Sequence, residues 1–285
     1  MRLSGIALLI LFFYGCSKEK LKAPDAYFFR VNTVDVAVTT PSIQGTTSNK
    51  ITDLWLYVNG NYRGAYPVGS LLPIACYGPA KIQIFPGIKN NGISATRQPY
   101  EFLAPVVIDT TLNDGNYVTR NLIFNYKNSA VFHWNEDFEG FGTITGISMR
   151  RSPYSGADTG FSVLNGNPNV FEGAKCILMS GMTGATDVAQ IESNAQFTLP
   201  LSGAPVYLEI NYKCNQPFEV GVYGNVEYKP VNIINTSYTW NKIYIQLTAA
   251  VSTVPLYAQY GIYLRAIHET DNPEIYIDNL KVISY

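Results

Sequence analysis

The chain has 285 residues, 20 Lys and Arg against 21 Asp and Glu, and a formal charge of −1; only 14% of it is charged. It has no basic stripe to neutralise phosphates, which speaks against a nucleic-acid partner. Its 21 tyrosines suit pleated surfaces that are half wet and half buried, as in an exported strand-built protein.

One charge, Arg2, precedes an unbroken apolar run from Ile6 to Tyr14 that ends in Gly15-Cys16. A membrane-crossing helix needs about 20 apolar residues, so this shorter run reads as a secretory signal over 1–15. The polar, Pro-containing stretch 16–25 reads as a tether. Strands are expected at 26–38, 51–58, 62–66, 81–85, 93–100, 106–111 and 119–126. In the clearest of these, Leu54, Leu56 and Val58 share one face, and Asp53, Trp55 and Tyr57 the other. Asn59-Gly60 tolerates positive φ at both positions and predicts a type I′ hairpin. Pro67, Gly69 and Pro73 predict a loop, and Pro86-Gly87 is expected to close the strand before it. No window of eleven or more residues has a helical period.

Lys127-Asn128-Ser129 is a polar break that divides a 26–126 domain from a 130–285 module. Further strands are expected at 130–138, 143–149, 170–179, 190–199, 206–213, 218–223, 238–248, 260–266 and 274–284. Turns such as Asn165-Gly166-Asn167-Pro168 separate them. The predicted class is therefore all-β: a small N-terminal β-sandwich followed by a C-terminal antiparallel jelly-roll β-sandwich. Cys76, Cys176 and Cys214 match no zinc or CxxC spacing; Cys176 and Cys214 either pair or serve as small buried hydrophobes.

Several short stretches carry resemblances. Gly15-Cys16 resembles the lipobox of bacterial lipoproteins, which implies that Cys16 is the lipid anchor. Ser17-Lys18-Glu19 resembles the surface-export signal of Bacteroidetes lipoproteins, implying an outer-membrane, cell-surface location, with the periplasmic face as the alternative. Val58-Asn59-Gly60, Gly64, Gly78 and Lys81-Ile82-Gln83-Ile84 resemble PEGA-like sandwiches. The run from Gly87 to Ser94, with Arg97 and Pro99-Tyr100, is similar to N-terminal domains of Bacteroidetes surface lipoproteins. Phe138-Glu139-Gly140, the strand led by Trp240, and Ile275 to Val282 resemble strands of jelly-roll modules: carbohydrate-binding, MAM and galactose-binding-like domains. That resemblance implies a structural Ca²⁺ held by Glu139 and Asp278, with Asp137 as a spare. The alternative is that Asp278-Asn279 closes a strand end by local hydrogen bonds while Glu139 is solvated.

Catalytic signals are sparse. His268-Glu269 opens like HExxH, but Asn272 stands where the second histidine belongs. Glu139, Asp158, Glu172, Glu192 and Glu269 are available as paired carboxylates, and nothing selects among them. Glycan capture needs exposed rings beside directed polar groups, and Tyr154, Tyr223, Asn225 and Tyr228 lie in turn-like stretches. The plain alternative for each is a tyrosine of a tyrosine-rich sheet; Trp240 is expected in the core, where the alternation of its strand points it, and Trp55 and Trp134 are expected to be structural. The expectation is a non-catalytic envelope lipoprotein that binds a glycan or other polymer through its jelly roll. A structural or adhesive subunit of a surface assembly is the alternative, and a glycoside hydrolase or other hydrolase the distant one. In a lipoprotein-processing host, labelled palmitate is expected to enter the wild type and not Cys16→Ser. A mature chain that keeps residues 1–15 would refute the anchor.

Overall fold

The structure is a computed structural model that describes residues 27–113, 117–140, 146–166, 168–201, 203–224, 227–252 and 259–285. The signal, Cys16, the tether and Asn225 lie outside the described residues. The N-terminal half comprises β1 (Tyr27–Ala37), α1 (Pro41–Gln44), β2 (Asp53–Val58), β3 (Asn61–Pro67), β4 (Leu71–Ile74), β5 (Gly78–Lys89), β6 (Arg97–Pro99), β7 (Val106–Leu112) and β8 (Tyr117–Asn125). The C-terminal half comprises β9 (Val131–Glu136), β10 (Met149–Arg151), β11 (Gly160–Asn165), β12 (Lys175–Ser180), β13 (Val188–Ser193), β14 (Val206–Cys214), β15 (Phe218–Gly224), β16 (Glu227–Ile234), β17 (Ser237–Gln246), α2 (Thr248–Ser252), β18 (Gly261–Ile267) and β19 (Ile275–Ser284). Among the described residues no helix is long and apolar enough to cross a membrane.

In the first half, sheet β4-β1-β8 shares one apolar cluster with sheet β3-β2-β5-β6, to which β7 adds through β5. Leu54, Leu56 and Val58 point into that cluster, as the alternation predicts. Asn59 and Gly60 have φ of 52° and 77°, the two positive values that a type I′ turn requires. Two expectations fail here. Pro73 lies in β4, an edge strand, where a missing N–H removes no ladder bond from the sheet interior. β5 also runs through Pro86-Gly87 to Lys89, because the carbonyls still pair: Pro86 O accepts Tyr100 N–H at 2.7 Å and Gly87 O accepts Thr52 N–H at 3.0 Å.

The second half is a jelly-roll sandwich. Sheet β10-β13-β18-β15-β16 packs its apolar side on sheet β11-β12-β19-β14-β17, with β9 added along β19. β19 is buried along its length, flanked by β14 on one side and by β12 and β9 on the other. β11 and β16 were not expected; both are edge strands with a weak apolar alternation, and β16 carries Pro230. Trp240 is half-buried rather than core, because its indole N–H reaches out to the Asn169 carbonyl at 3.1 Å. Trp134 is core, bonded to Ser148 Oγ at 2.7 Å. Cys176 and Cys214 are buried free thiols and not a disulfide.

The outer face of the six-stranded sheet is itself covered. Tyr207, Tyr244 and Ile283 leave the jelly roll to join the N-terminal cluster. At their centre the buried Glu209 accepts the Tyr100 hydroxyl at 2.7 Å and meets Lys242 Nζ at 2.8 Å and Lys281 Nζ at 3.8 Å. Lys281 also donates to the Tyr126 hydroxyl at 2.9 Å. Burial alone would raise the Glu209 carboxyl, but the two ammonium groups and the hydrogen bonds hold it down at about 2. Removing one member of such a group strands the others without water. Glu209→Gln is expected to cost about 3–5 kcal/mol in urea unfolding, and less when Lys242→Met is made with it. An unchanged midpoint for Glu209→Gln would show that the group holds nothing together.

Candidate functional site

The outer face of the five-stranded sheet carries a layer of tyrosines over buried polar groups. Strand register lays out its side chains: Arg150 (β10) stands opposite Glu192 (β13), Glu192 opposite Tyr263 (β18), and Tyr263 opposite Gly221 (β15). One step along, Gly261 faces Tyr223, and Tyr223 faces Tyr228 of β16. The glycines are what let these rings lie on the sheet. A Cβ at Gly221 would sit 2.4 Å from the Tyr263 ring, and one at Gly261 would sit 2.1 Å from the Tyr223 ring.

Three of the tyrosines expected from sequence come together here. Tyr228 stacks on Tyr223 at 5.3 Å and 18°, and meets Tyr154 edge-on at 5.0 Å. Tyr263, which sequence reasoning missed, completes the group at 5.2 Å from Tyr228. Their exposure separates their roles. Tyr154 is 58% exposed and Tyr228 half-buried, whereas Tyr223 is buried with its hydroxyl given to the Ser193 carbonyl at 2.6 Å. Tyr223 thus supports the cluster from beneath and offers a ligand no surface.

Polar groups hold the rings in place. The buried Glu192 accepts the Tyr228 hydroxyl at 2.5 Å, and Arg150 through Nε at 2.9 Å and Nη2 at 2.8 Å. Ser152 Oγ lies 3.3 Å from the Tyr228 hydroxyl and accepts Gln190 Nε2 at 3.0 Å. Tyr263 donates to Glu219 at 2.7 Å. Burial, then the hydrogen bond to Glu192, pushes the Tyr228 phenol up to about 12, so it is a neutral donor across the physiological range. The Arg150 side chain remains 55% exposed and forms the rim between this face and a cleft of about 740 Å³. That cleft opens between the edge strands β10 and β11; Met149, Phe161 and Val163 make its apolar wall, and Arg151, Asp158 and Thr159 line it with polar groups. Flat rings, a half-used guanidinium and a cleft suit a ligand with both C–H faces and hydroxyls. The sequence signal for Glu192 and Arg150 was weak: a polar alternation, Gln190 and Glu192 between Ala189 and Ile191, whose partner strand only the fold names.

The acids expected to hold calcium lie on the other sheet's side. Glu139 Oε1 accepts the Ala174 and Lys175 N–H groups, both at 2.7 Å, and Asp137 Oδ1 accepts Glu139 N–H at 3.0 Å. Asp278 is fully buried and accepts Asn279 N–H at 2.8 Å and Glu172 N–H at 3.2 Å. Burial is the main force that raises its carboxyl to about 7; the backbone donors oppose it and the charge of Glu139 adds to it. Glu139 and Asp278 are thus near enough to repel, yet among the described residues no group of three or more Asp, Glu, His or Cys is arranged to hold a metal. The fit to a hard cation is partial.

No protein-family model matches the chain, and no curated protein sequence is similar to it. Solved structures similar to it include a cleaved adhesin domain of Lys-gingipain from Porphyromonas gingivalis, 14% identical with a TM-score of 0.40 over 54% of this chain and 99% of that one. A family 29 carbohydrate-binding module is 13% identical with a TM-score of 0.36, over 54% and 88% of the two chains. A xylan-binding domain from Paenibacillus barcinonensis is 13% identical with a TM-score of 0.37, over 55% and 97%.

Asp278 has a sign that can be measured. A carboxyl whose folded value is raised from the ordinary 3.8 to about 7 contributes stability that is complete at acid pH and is lost as pH climbs through about 7. Relative to Asp278→Asn, the wild type is therefore expected to lose thermal stability between about pH 4 and pH 8. Parallel melting curves for the two across that range would remove the buried acid from the account.

Proposed function

We propose that the chain is a non-catalytic envelope lipoprotein, anchored at Cys16, whose C-terminal jelly roll binds a glycan through the face built on Tyr154 and Tyr228. The observation that carries the reading is the meeting of Tyr154, Tyr228, Arg150 and Ser152 around one neutralised carboxylate, Glu192, beside an open cleft. A sugar ring packs its C–H face on a phenol while its hydroxyls take directed donors. Here the exposed Tyr154 supplies the ring, and the free side of Arg150 together with the polar cleft wall supplies the donors. Glu192 accepts Arg150 and the Tyr228 hydroxyl, which fits it to hold the ring and the guanidinium in place.

The adhesive or structural alternative has one observation of its own. The outer face of sheet β4-β1-β8 exposes Phe28, Leu71 and Tyr117 in neighbouring register positions, a surface suited to protein contact. The calcium ion belongs to the proposal through the repulsion between Glu139 and Asp278, which a divalent cation would relieve. It predicts that calcium raises the melting temperature above neutral pH in the wild type and not in Asp278→Asn.

Binding is tested on a glycan array. Tyr154→Ala and Tyr228→Ala are each expected to weaken the signal by roughly tenfold, as loss of a ring contact worth about 1–1.5 kcal/mol requires. Tyr154→Phe should retain it. A silent array, or variants that bind like the wild type, would pass the role to the adhesive reading.

A further inference from the structure

Sheet β3-β2-β5-β6 also has a face that looks away from its core, and four aromatic rings meet on it. Register sets Tyr62 opposite Tyr57 and Trp55 opposite Phe85. Trp55 stacks with Tyr62 at 5.5 Å and 30°, Tyr57 lies 5.3 Å from Tyr62, and Tyr57 meets Phe85 edge-on at 5.3 Å. Burying apolar surface is the usual fate of such rings, yet these are only half-buried and Tyr62 is 49% exposed. Trp55 lies across Gly87: a Cβ there would come within 2.9 Å of its Cδ1 and Nε1. This is the arrangement seen for Tyr263 over Gly221, and it lays the indole along the sheet.

Two features say what kind of partner suits the platform. The indole N–H of Trp55 is shielded from solvent and has no acceptor among the described residues. A donor left without a partner is costly, and a ligand oxygen that reached it through a small turn of the ring would satisfy it. The positions that carry the rings are themselves uncharged, and the charges flanking them come in opposite pairs. Asp53 is buried against Arg97 at 3.2 Å and accepts the Thr52 hydroxyl at 2.7 Å, Lys81 stands opposite Asp109, and Gln83 occupies the register position beside Tyr57. Neutral rings, an amide and one spare donor complement a neutral, hydroxyl-rich chain better than a charged peptide or polyanion.

We infer that the outer face of the N-terminal sheet, built on Trp55, Tyr57, Tyr62 and Phe85, is a second carbohydrate-contact surface that takes a neutral polysaccharide. It rests on the glycan-binding reading of the chain but uses none of the residues of the C-terminal face. Two platforms on one chain also make binding to a long polymer steeper than either contact alone.

The test is native electrophoresis of the full-length chain through gels cast with glucomannan, xylan or hydroxyethylcellulose, with polygalacturonate as the anionic control. Retardation by a neutral polymer is expected to weaken roughly tenfold in Trp55→Ala and in Tyr62→Ala, and to persist in Trp55→Phe. Tyr62→Ala alters an exposed ring and so guards against loss of fold as the cause. Retardation that Tyr228→Ala abolishes and the Trp55 and Tyr62 variants leave intact overturns this inference alone, whereas the reverse pattern overturns the C-terminal site alone. Absence of retardation by any neutral polymer overturns both. Sedimentation closes the remaining route: a wild-type dimer that Tyr62→Ala converts to monomer makes the platform a contact between copies and overturns the inference.

Discussion

A single buried carboxylate organises this molecule. Glu209 lies on the outer face of the jelly roll's six-stranded sheet, where water would ordinarily solvate it, and is instead enclosed by Lys242, Lys281 and Tyr100. Aromatic packing closes around it, with Tyr100 at 4.8 Å from Tyr244 and 5.7 Å from Tyr207. Two ammonium groups and one carboxylate out of water are tolerable only while all three stay together. The two sandwiches therefore share an interface that neither leaves without exposing unpaired charge.

That constraint decides which surfaces remain for function. The N-terminal sandwich covers much of one outer face of the jelly roll. The segment around Asn169 to Glu172 closes more of it, through Tyr276 at 3.0 Å, Lys213 at 2.6 Å and the Asp278 carboxylate. The other outer face, on the five-stranded sheet, buries Glu192, Tyr223 and Tyr263 beneath a layer that presents Tyr154, Tyr228 and Arg150. The free face of the N-terminal five-stranded sheet carries Trp55 and Tyr62. The same device builds both surfaces: a glycine on one strand lets a ring from its neighbour lie along the sheet, as with Gly87 under Trp55 and Gly221 under Tyr263. A side chain in place of either glycine would lift the ring and destroy the flat surface.

Local patterns in the chain are faithful guides wherever the physics is local. Two-residue alternation placed Leu54, Leu56 and Val58 inward, and Asn59-Gly60 formed the turn that its tolerance of positive φ demands. Proline misled twice in the same way, because its cost depends on whether the missing N–H would have had a partner. Pro73 sits at a sheet edge and Pro86 still offers its carbonyl, so neither ends a strand. Trp240 was read as core from alternation alone, but its N–H found an acceptor, Asn169, on a loop far away in sequence.

By itself the sequence determined the all-β class, the two-sandwich order, the lack of long helices among the described residues, and the tyrosines Tyr154 and Tyr228 as surface candidates. These follow from periodicity and from the chemistry of single residues. Only the tertiary structure decided that Glu192, Arg150 and Tyr263 join those tyrosines, that Tyr223 is a support, and that Glu209 sits between two lysines. Strand order is the reason. Partners across a sheet are separated by tens of residues or more, and nothing in the alternation of one strand names the strand that will lie beside it.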